Sequence, residues 1–199
     1  TLSGAGVLSG TPTQTGSFPI TVRTTEDHTG TPECRNRRTQ TQEISCQTII
    51  VTNPVVTTGT AGVAFSQTFT QTGAVAGATF TINSGTLPSG ITLNTAGLLS
   101  GTTTQTGSFP ITVRATGGNT GTPCFGNGTT YNLVIGCQAI TVTNPVVTTG
   151  TTGVAFSQNF SQTGAVGGAT FTINSGTLPT GLTLSGAGVL SGTPTQTGS

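Results

Sequence analysis

The sequence predicts an all-β chain built as a linear array of tandem β-sandwich domains. Three observations predict it. The chain repeats itself every 91 residues: Leu8-Ser9-Gly10-Thr11 returns as Leu99-Ser100-Gly101-Thr102 and as Leu190-Ser191-Gly192-Thr193. Cys46-Gln47 returns as Cys137-Gln138, and Asn53-Pro54-Val55-Val56 as Asn144-Pro145-Val146-Val147. A period that long is the size of one self-contained small domain, not of a solenoid coil. The composition is that of strands and turns: Thr fills 49 of 199 positions and Gly 31. Thr and other β-branched residues favour strands, while Gly, Pro, Asn and Ser supply turns. Finally, no window carries a 3.6-residue apolar period, and the apolar residues fall in short runs between turn signals.

Residues 53–143 read as one complete repeat, 1–52 as the C-terminal half of another, and 144–199 as the N-terminal half of a third. A half sandwich exposes its core and unpaired strand edges. The expectation is therefore that the polypeptide continues in both directions, the other reading being that a neighbouring chain supplies the missing strands. Residues 1–17 and 183–199 are identical, whereas 92–108 differ from them at four positions, which hints at a two-domain super-repeat.

Residues 49–51 and Val55-Val56 suggest a first edge strand broken by Pro54, since an edge strand tolerates the missing N–H. Residues 64–71 place Phe65 and Phe69 on one face. Residues 79–83 carry Phe80 and Ile82. Leu87-Pro88-Ser89-Gly90 is a turn before a short strand, and Leu87, Ile91 and Leu93 are expected in the core. Residues 97–101 form another short strand. Residues 108–115 alternate, with Phe109, Ile111, Val113 and Ala115 inward and Arg114 outward. Residues 131–135, with Leu133 and Ile135, close the sheet. Seven short strands at this spacing indicate an immunoglobulin-like two-sheet sandwich, and the inward residues suffice for one small core per repeat.

Residues 84–93, followed by Gly97-Leu98-Leu99-Ser100-Gly101-Thr102 and Gly107-Ser108-Phe109-Pro110-Ile111-Thr112-Val113, resemble the tandem putative-immunoglobulin, dystroglycan- and cadherin-like repeat of large bacterial surface proteins. The third copy matches too, through Leu178-Pro179-Thr180-Gly181-Leu182 and Ser191-Gly192-Thr193-Pro194. The resemblance spans essentially the whole chain. It implies an extracellular structural or adhesive array and no enzyme. Cadherin-type arrays hold calcium in acidic clusters at their junctions. Residues 53–143 contain no Asp or Glu, so no calcium, and no other cofactor or metal, is expected.

Four cysteines, two per repeat, favour disulfides over zinc: there is no Cys-x-x-Cys pair and no nearby set of His ligands. Local pairing would join Cys34 to Cys46 and Cys124 to Cys137. A strand of about five residues between the latter two carries the chain about 17 Å, and a disulfide accepts at most about 7 Å between Cα atoms. The alternative is a junction staple, Cys46 to Cys124, tying the loop before the last strand to the incoming linker. Cys34 and Cys137 would then pair with repeats outside this stretch. Local pairs and free thiols stay open.

Net charge is +1 with 5% charged residues, which excludes an electrostatic nucleic-acid surface. No apolar run is long enough to span a membrane. Lys is absent, so Lys–Asn isopeptide bonds are excluded. The one His, His28, stands beside Asp27 in a loop; the pair invites a triad reading, but it occurs once and the matching position in the next repeat is Asn119. There is no Gly-x-Ser-x-Gly elbow and no phosphate loop. The frame is nearly constant, but the segment before the last strand diverges: Glu26-Asp27-His28 and Glu33-Cys34-Arg35-Asn36-Arg37-Arg38 against Gly117-Gly118-Asn119 and Cys124-Phe125-Gly126-Asn127. Variable loops on a rigid frame are where binding tends to sit. Glu26, Asp27, His28, Arg35, Arg37 and Arg38 are therefore a candidate contact patch, with a plain solvated loop as the other reading. The function expected is a structural repeat of a secreted filament or cell-surface adhesin stalk, partnered by copies of itself or by adjacent repeats. The second expectation is an adhesive module that recognises a glycan or surface through that loop.

Overall fold

The computed structural model describes residues 1–25, 35–74 and 77–198. All regular structure among them is extended. The strands are β1 (Gly16–Thr25), β2 (Arg35–Ile44), β3 (Ile50–Thr52), β4 (Thr58–Thr60), β5 (Phe65–Thr68), β6 (Thr70–Thr72), β7 (Ala78–Gly85), β8 (Ile91–Leu93) and β9 (Leu98–Gly101). They continue as β10 (Gly107–Gly117), β11 (Phe125–Asn127), β12 (Tyr131–Gly136), β13 (Thr141–Thr143), β14 (Phe156–Asn159), β15 (Ser161–Thr163), β16 (Leu182–Leu184) and β17 (Val189–Gly192). The chain forms two compact units. One comprises Thr1–Thr57, Phe65–Gly101 and Ser108–Leu133, and the other Thr58–Ala64, Thr102–Gly107 and Val134–Ser199.

In the first unit, β1 and β2 form an antiparallel hairpin from Gly16↔Ile44 to Thr25↔Arg35. β10 is the spine of a larger sheet, with β7, β11 and β12 all paired to it. β7 runs antiparallel to β10 from Ile111↔Gly85 to Gly117↔Ala78, with a bulge at Thr112/Val113. The alternation of β10 puts Ile111, Val113 and Ala115 at 1%, 0% and 0% exposure. A second sheet, β5-β9-β8, supplies Phe65, Leu99 and Ile91, and β3 pairs with β6. Tyr131 packs edge-on against Phe69, ring centroids 5.3 Å apart. Such pairs add about 1 kcal/mol beyond the area they bury. The buried Tyr131 hydroxyl donates to the Val56 carbonyl, which satisfies its one polar atom.

In the second unit, β4 lies parallel to the end of β12, Val134↔Thr58 to Gly136↔Thr60. β13 pairs with β15, and β14-β17-β16 repeats β5-β9-β8 at the 91-residue offset, with Phe156↔Gly192 matching Phe65↔Gly101. Here Phe156, Phe160, Phe171 and Leu190 are only half-buried. They line clefts of about 400 and 460 Å³.

Several expectations need correction. Val55 and Val56 lie outside any strand, at 96% and 47% exposure; after Pro54 the chain turns so that the Val56 carbonyl meets Tyr131. The run 64–71 is not one strand. It breaks at Phe69, whose N–H donates to the Gly97 carbonyl (2.8 Å), as the chain passes from partner β9 to partner β3. That switch buries Phe69 to 1%. Ile82, Leu87, Leu93 and Phe109 are half-buried rather than fully inside. β4 and β11 were not expected at all, because Thr-Gly-Thr and Phe-Gly-Asn carry no apolar alternation.

Candidate functional site

Threonines set up the site. Thr13–Thr15 is an extended stretch just ahead of β1. Residues 119–124 form the loop between β10 and β11, folded back by Gly117, whose N–H donates to the Cys124 carbonyl (2.8 Å). The two stretches join in a parallel bridge at Gln14↔Thr120. Thr15 N–H donates to the Thr120 carbonyl (3.0 Å), and Thr120 N–H to the Thr13 carbonyl (3.1 Å). The Thr15 hydroxyl donates to the Thr122 carbonyl at 2.7 Å. Asn119 knits the loop: its Nδ2 donates to the Thr122 carbonyl (2.8 Å) and to Thr15 Oγ1 (3.3 Å), and its Oδ1 accepts from Cys124 N–H (3.2 Å). Gly121 sits at φ +86°, and a Cβ there would stand 2.3 Å from the Thr15 carbonyl oxygen. Only glycine meets both demands.

A disulfide then closes the site. Cys46 and Cys124 are bonded, their Cα atoms 5.4 Å apart and 78 residues apart in sequence. Ile49, just ahead of the following β3, and Val51, within it, are 5% and 8% exposed. The backbone of Gly126 and Gly128 covers them, a Cβ at Gly126 falling 1.9 Å from the Ile49 carbonyl oxygen. A narrow cleft of about 210 Å³ remains, lined by Thr11, Pro12, Ile44, Gln47 and Asn119 among others. Its lining offers amides, hydroxyls and methyl groups and no ionisable side chain. Such a surface can hold two segments together through hydrogen bonds and methyl contacts.

Cys137, the twin of Cys46 one repeat on, carries an exposed free thiol. Cys34, Glu26, Asp27 and His28 lie outside the described residues, as does the side chain of Arg35. Arg37 and Arg38 are exposed on β2, opposite Arg23 and Val22. On β10, Arg114 lies 4.5 Å over the Phe125 ring and donates through Nε to Asn127 (2.9 Å). Among the described residues no three metal-ligating side chains cluster, and no helix is long and apolar enough to cross a membrane. Sequence reasoning missed the Thr13–Thr15 contact and the part played by Asn119. A signal existed: inside the most divergent loop both copies keep Thr-Gly-Thr-Pro, at Thr29-Gly30-Thr31-Pro32 and Thr120-Gly121-Thr122-Pro123. Those conserved letters are the ones whose backbone makes the bridge in the second copy.

A family model described as Putative Ig domain matches residues 47–136 and again 139–199. No curated protein matches the chain. Among solved structures it is similar to the protocadherin GammaB4 extracellular domain, at 16% identity and TM-score 0.36, covering 89% of this chain and 34% of that one. It is also similar to Drosophila N-cadherin EC1-4, at 8% identity and TM-score 0.36, covering 88% and 49%. An endo-fucoidan hydrolase of glycoside hydrolase family 107 is a further neighbour, at 18% identity and TM-score 0.32, covering 89% and 30%. At these scores the structural neighbours add nothing to the family match. The chain spans between about a third and a half of the two cadherins' length.

Proposed function

The chain belongs to the Putative Ig domain family, matched in two tandem segments, and from that premise we infer that it is a structural stretch of a long extracellular filament or adhesin stalk. On this reading 53–143 is one complete repeat, 1–52 the C-terminal half of another and 144–199 the N-terminal half of a third, and the chain works by mechanics rather than chemistry. Each unit adds length, and the coupling between successive units sets stiffness. The observation that carries this reading is the clasp at Thr13–Thr15, Asn119–Cys124 and Cys46: a parallel bridge, a side-chain amide and a covalent bond hold the loop 119–124 to Thr13–Thr15 and Cys46, which on the repeat reading above belong to the preceding repeat. A disulfide of that kind suits an oxidising, extracellular setting. Low charge and Thr-rich faces let neighbouring copies approach without repulsion.

Electron microscopy of negatively stained, secreted material tests this. Beaded rods or fibres with a spacing of about 40 Å per repeat, scaled from strand length plus end loops, are expected. Compact single particles alone would overturn it. A second reading, adhesion through the patch at Glu26, Asp27, His28, Arg35, Arg37 and Arg38, draws support from the exposure of Arg37 and of Arg38, which as neighbours on β2 project to opposite faces of the hairpin. Glycan-array binding that disappears in the double variant Arg37→Ala/Arg38→Ala would favour it.

A further inference from the structure

The clasp has a twin. Shifting its acceptor side by 91 residues gives Thr104-Gln105-Thr106 for Thr13-Gln14-Thr15, Cys137 for Cys46, Ile140 for Ile49 and Val142 for Val51. The three-residue Thr-Gln-Thr stretch is identical in the two places, and the whole twin lies within the second unit. Thr104, Gln105 and Thr106 are exposed, as is the Cys137 thiol. The apolar pair tells the two places apart: Ile49 and Val51 are 5% and 8% exposed, Ile140 and Val142 57% and 54%. The first pair is covered by the backbone of Gly126 and Gly128, which follows the loop 119–124.

We propose that Thr104–Thr106, Cys137 and Ile140 form a docking surface for a Thr-Gly-Thr-Pro loop ending in a cysteine, carried by another repeat of this family. The occupied twin specifies the chemistry of the partner. The loop needs backbone N–H and C=O groups in extended form to bridge the threonines, and a glycine after the first Thr, where a Cβ would strike the acceptor's carbonyl. It needs a cysteine at the position of Cys124 to reach Cys137. Past that, it needs a glycine two residues on, because the acceptor isoleucine's carbonyl leaves no room for a side chain. This deepens the coupling reading above and rests on it.

Closing the bond takes an oxidant, a small-molecule disulfide such as oxidised glutathione. The Cys137 thiolate attacks it and displaces one glutathione thiolate. The loop cysteine's thiolate attacks the Cys137 sulfur and displaces the second. Two protein thiols become one disulfide, the glutathione disulfide is reduced to two thiols, and those take up the two protons. Docking precedes the second attack and raises the local thiol concentration, which makes the exchange selective for the fitting sequence.

The probe is a synthetic peptide with the sequence of residues 119–128, offered to the 199-residue chain in a glutathione buffer, with the Cys137 adduct followed by mass spectrometry. The fitting peptide should be trapped at Cys137 at least tenfold faster than a scrambled one, and replacing the peptide's first Gly with Ala should remove that advantage. Ile140→Asp in the chain should lower trapping to the scrambled level while the simple glutathione adduct at Cys137 forms at an unchanged rate. Ile140 is exposed, so the variant leaves the core intact. Equal trapping of fitting and scrambled peptides, or an Ile140→Asp variant that traps as well as the parent, would overturn the proposal. Beaded rods seen alongside equal trapping would overturn this docking surface alone and leave the structural reading standing.

Discussion

The same eight residues, Gly-Ser-Phe-Pro-Ile-Thr-Val-Arg, occur at 16–23 in β1 and at 107–114 in β10. In β10, Ile111 and Val113 are 1% and 0% exposed; in β1 the matching Ile20 and Val22 are half-buried. Local sequence made both of them strands. Neighbours made only one of them core. β10 is flanked by β7, β11 and β12, and Ile82 and Phe80 stand opposite Val113 and Ala115. β1 meets β2, which puts Gln42, Gln40 and Arg38 opposite Phe18, Ile20 and Val22. Where β12 offers Tyr131 and Leu133, the matching part of β2 offers Gln40 and Gln42. An apolar face opposite amides loses few water contacts, so its hydrophobic stabilisation is small. Arg23 opposite Arg37 weakens the hairpin a little further.

The largest effect should come from cutting the staple, which holds the loop leading from β10. Cys46→Ser with Cys124→Ser reopens a 78-residue closure. The chain-entropy account puts the cost at about 4.5 kcal/mol. Hydrogen exchange should then show protection at 111–115 falling towards that at 20–24. Protection at 111–115 that stays at the parent level would show that packing alone holds β10.

Next in size is the cavity comparison. Ile111→Ala should cost about 3 kcal/mol and Ile20→Ala about 1 kcal/mol or less, since only the first leaves a closed cavity. Urea unfolding monitored by the single tyrosine reads the first directly. Equal shifts in midpoint would erase the distinction between the two strands.

The smallest effect concerns Tyr131. Tyr131→Phe removes its hydrogen bond to Val56 and should cost about 1 kcal/mol. Burial also pushes the Tyr131 phenol above its ordinary value of 10.0. The folded state therefore holds the proton that the unfolded chain releases near pH 10. The associated stability is complete below that pH and is lost as pH rises through it towards the folded value. Urea midpoints should fall above about pH 10 for the parent and fall less for Tyr131→Phe.

Much of the architecture could be read from the chain. The 91-residue period, the alternation of 109–115 and the apolar positions Phe65, Phe80, Ile91 and Leu99 pointed to sandwich cores because each signal is local. Other features had no local signal. Phe69 interrupts its strand because the chain exchanges one sheet partner for another there. β11 is a strand because it pairs with β10 while Gly126 lies against the Ile49 carbonyl, and its own residues show no alternation. Thr103 is 2% exposed, its hydroxyl accepting from Gln105 N–H and its carbonyl from Gly62 N–H. In the next repeat Pro194 occupies that place and accepts from Gly153 N–H in the same way. Nothing in Thr or Pro alone announces a shared role.

The cysteines mark the boundary most clearly. Spacing and composition favoured disulfides over metal, since no ligand set surrounds them. They left the pairing open, because a loop's path is not written in its own letters. Gly117 and Asn119 fold the chain back after β10, the Thr13–Thr15 backbone receives it, and Cys124 arrives beside Cys46. The amino-acid order by itself determined strand, period and turn, because those depend on neighbours along the chain. Only the tertiary structure decided which of two identical strands is core and which cysteines meet, because burial and sulfur–sulfur reach depend on groups tens of residues away.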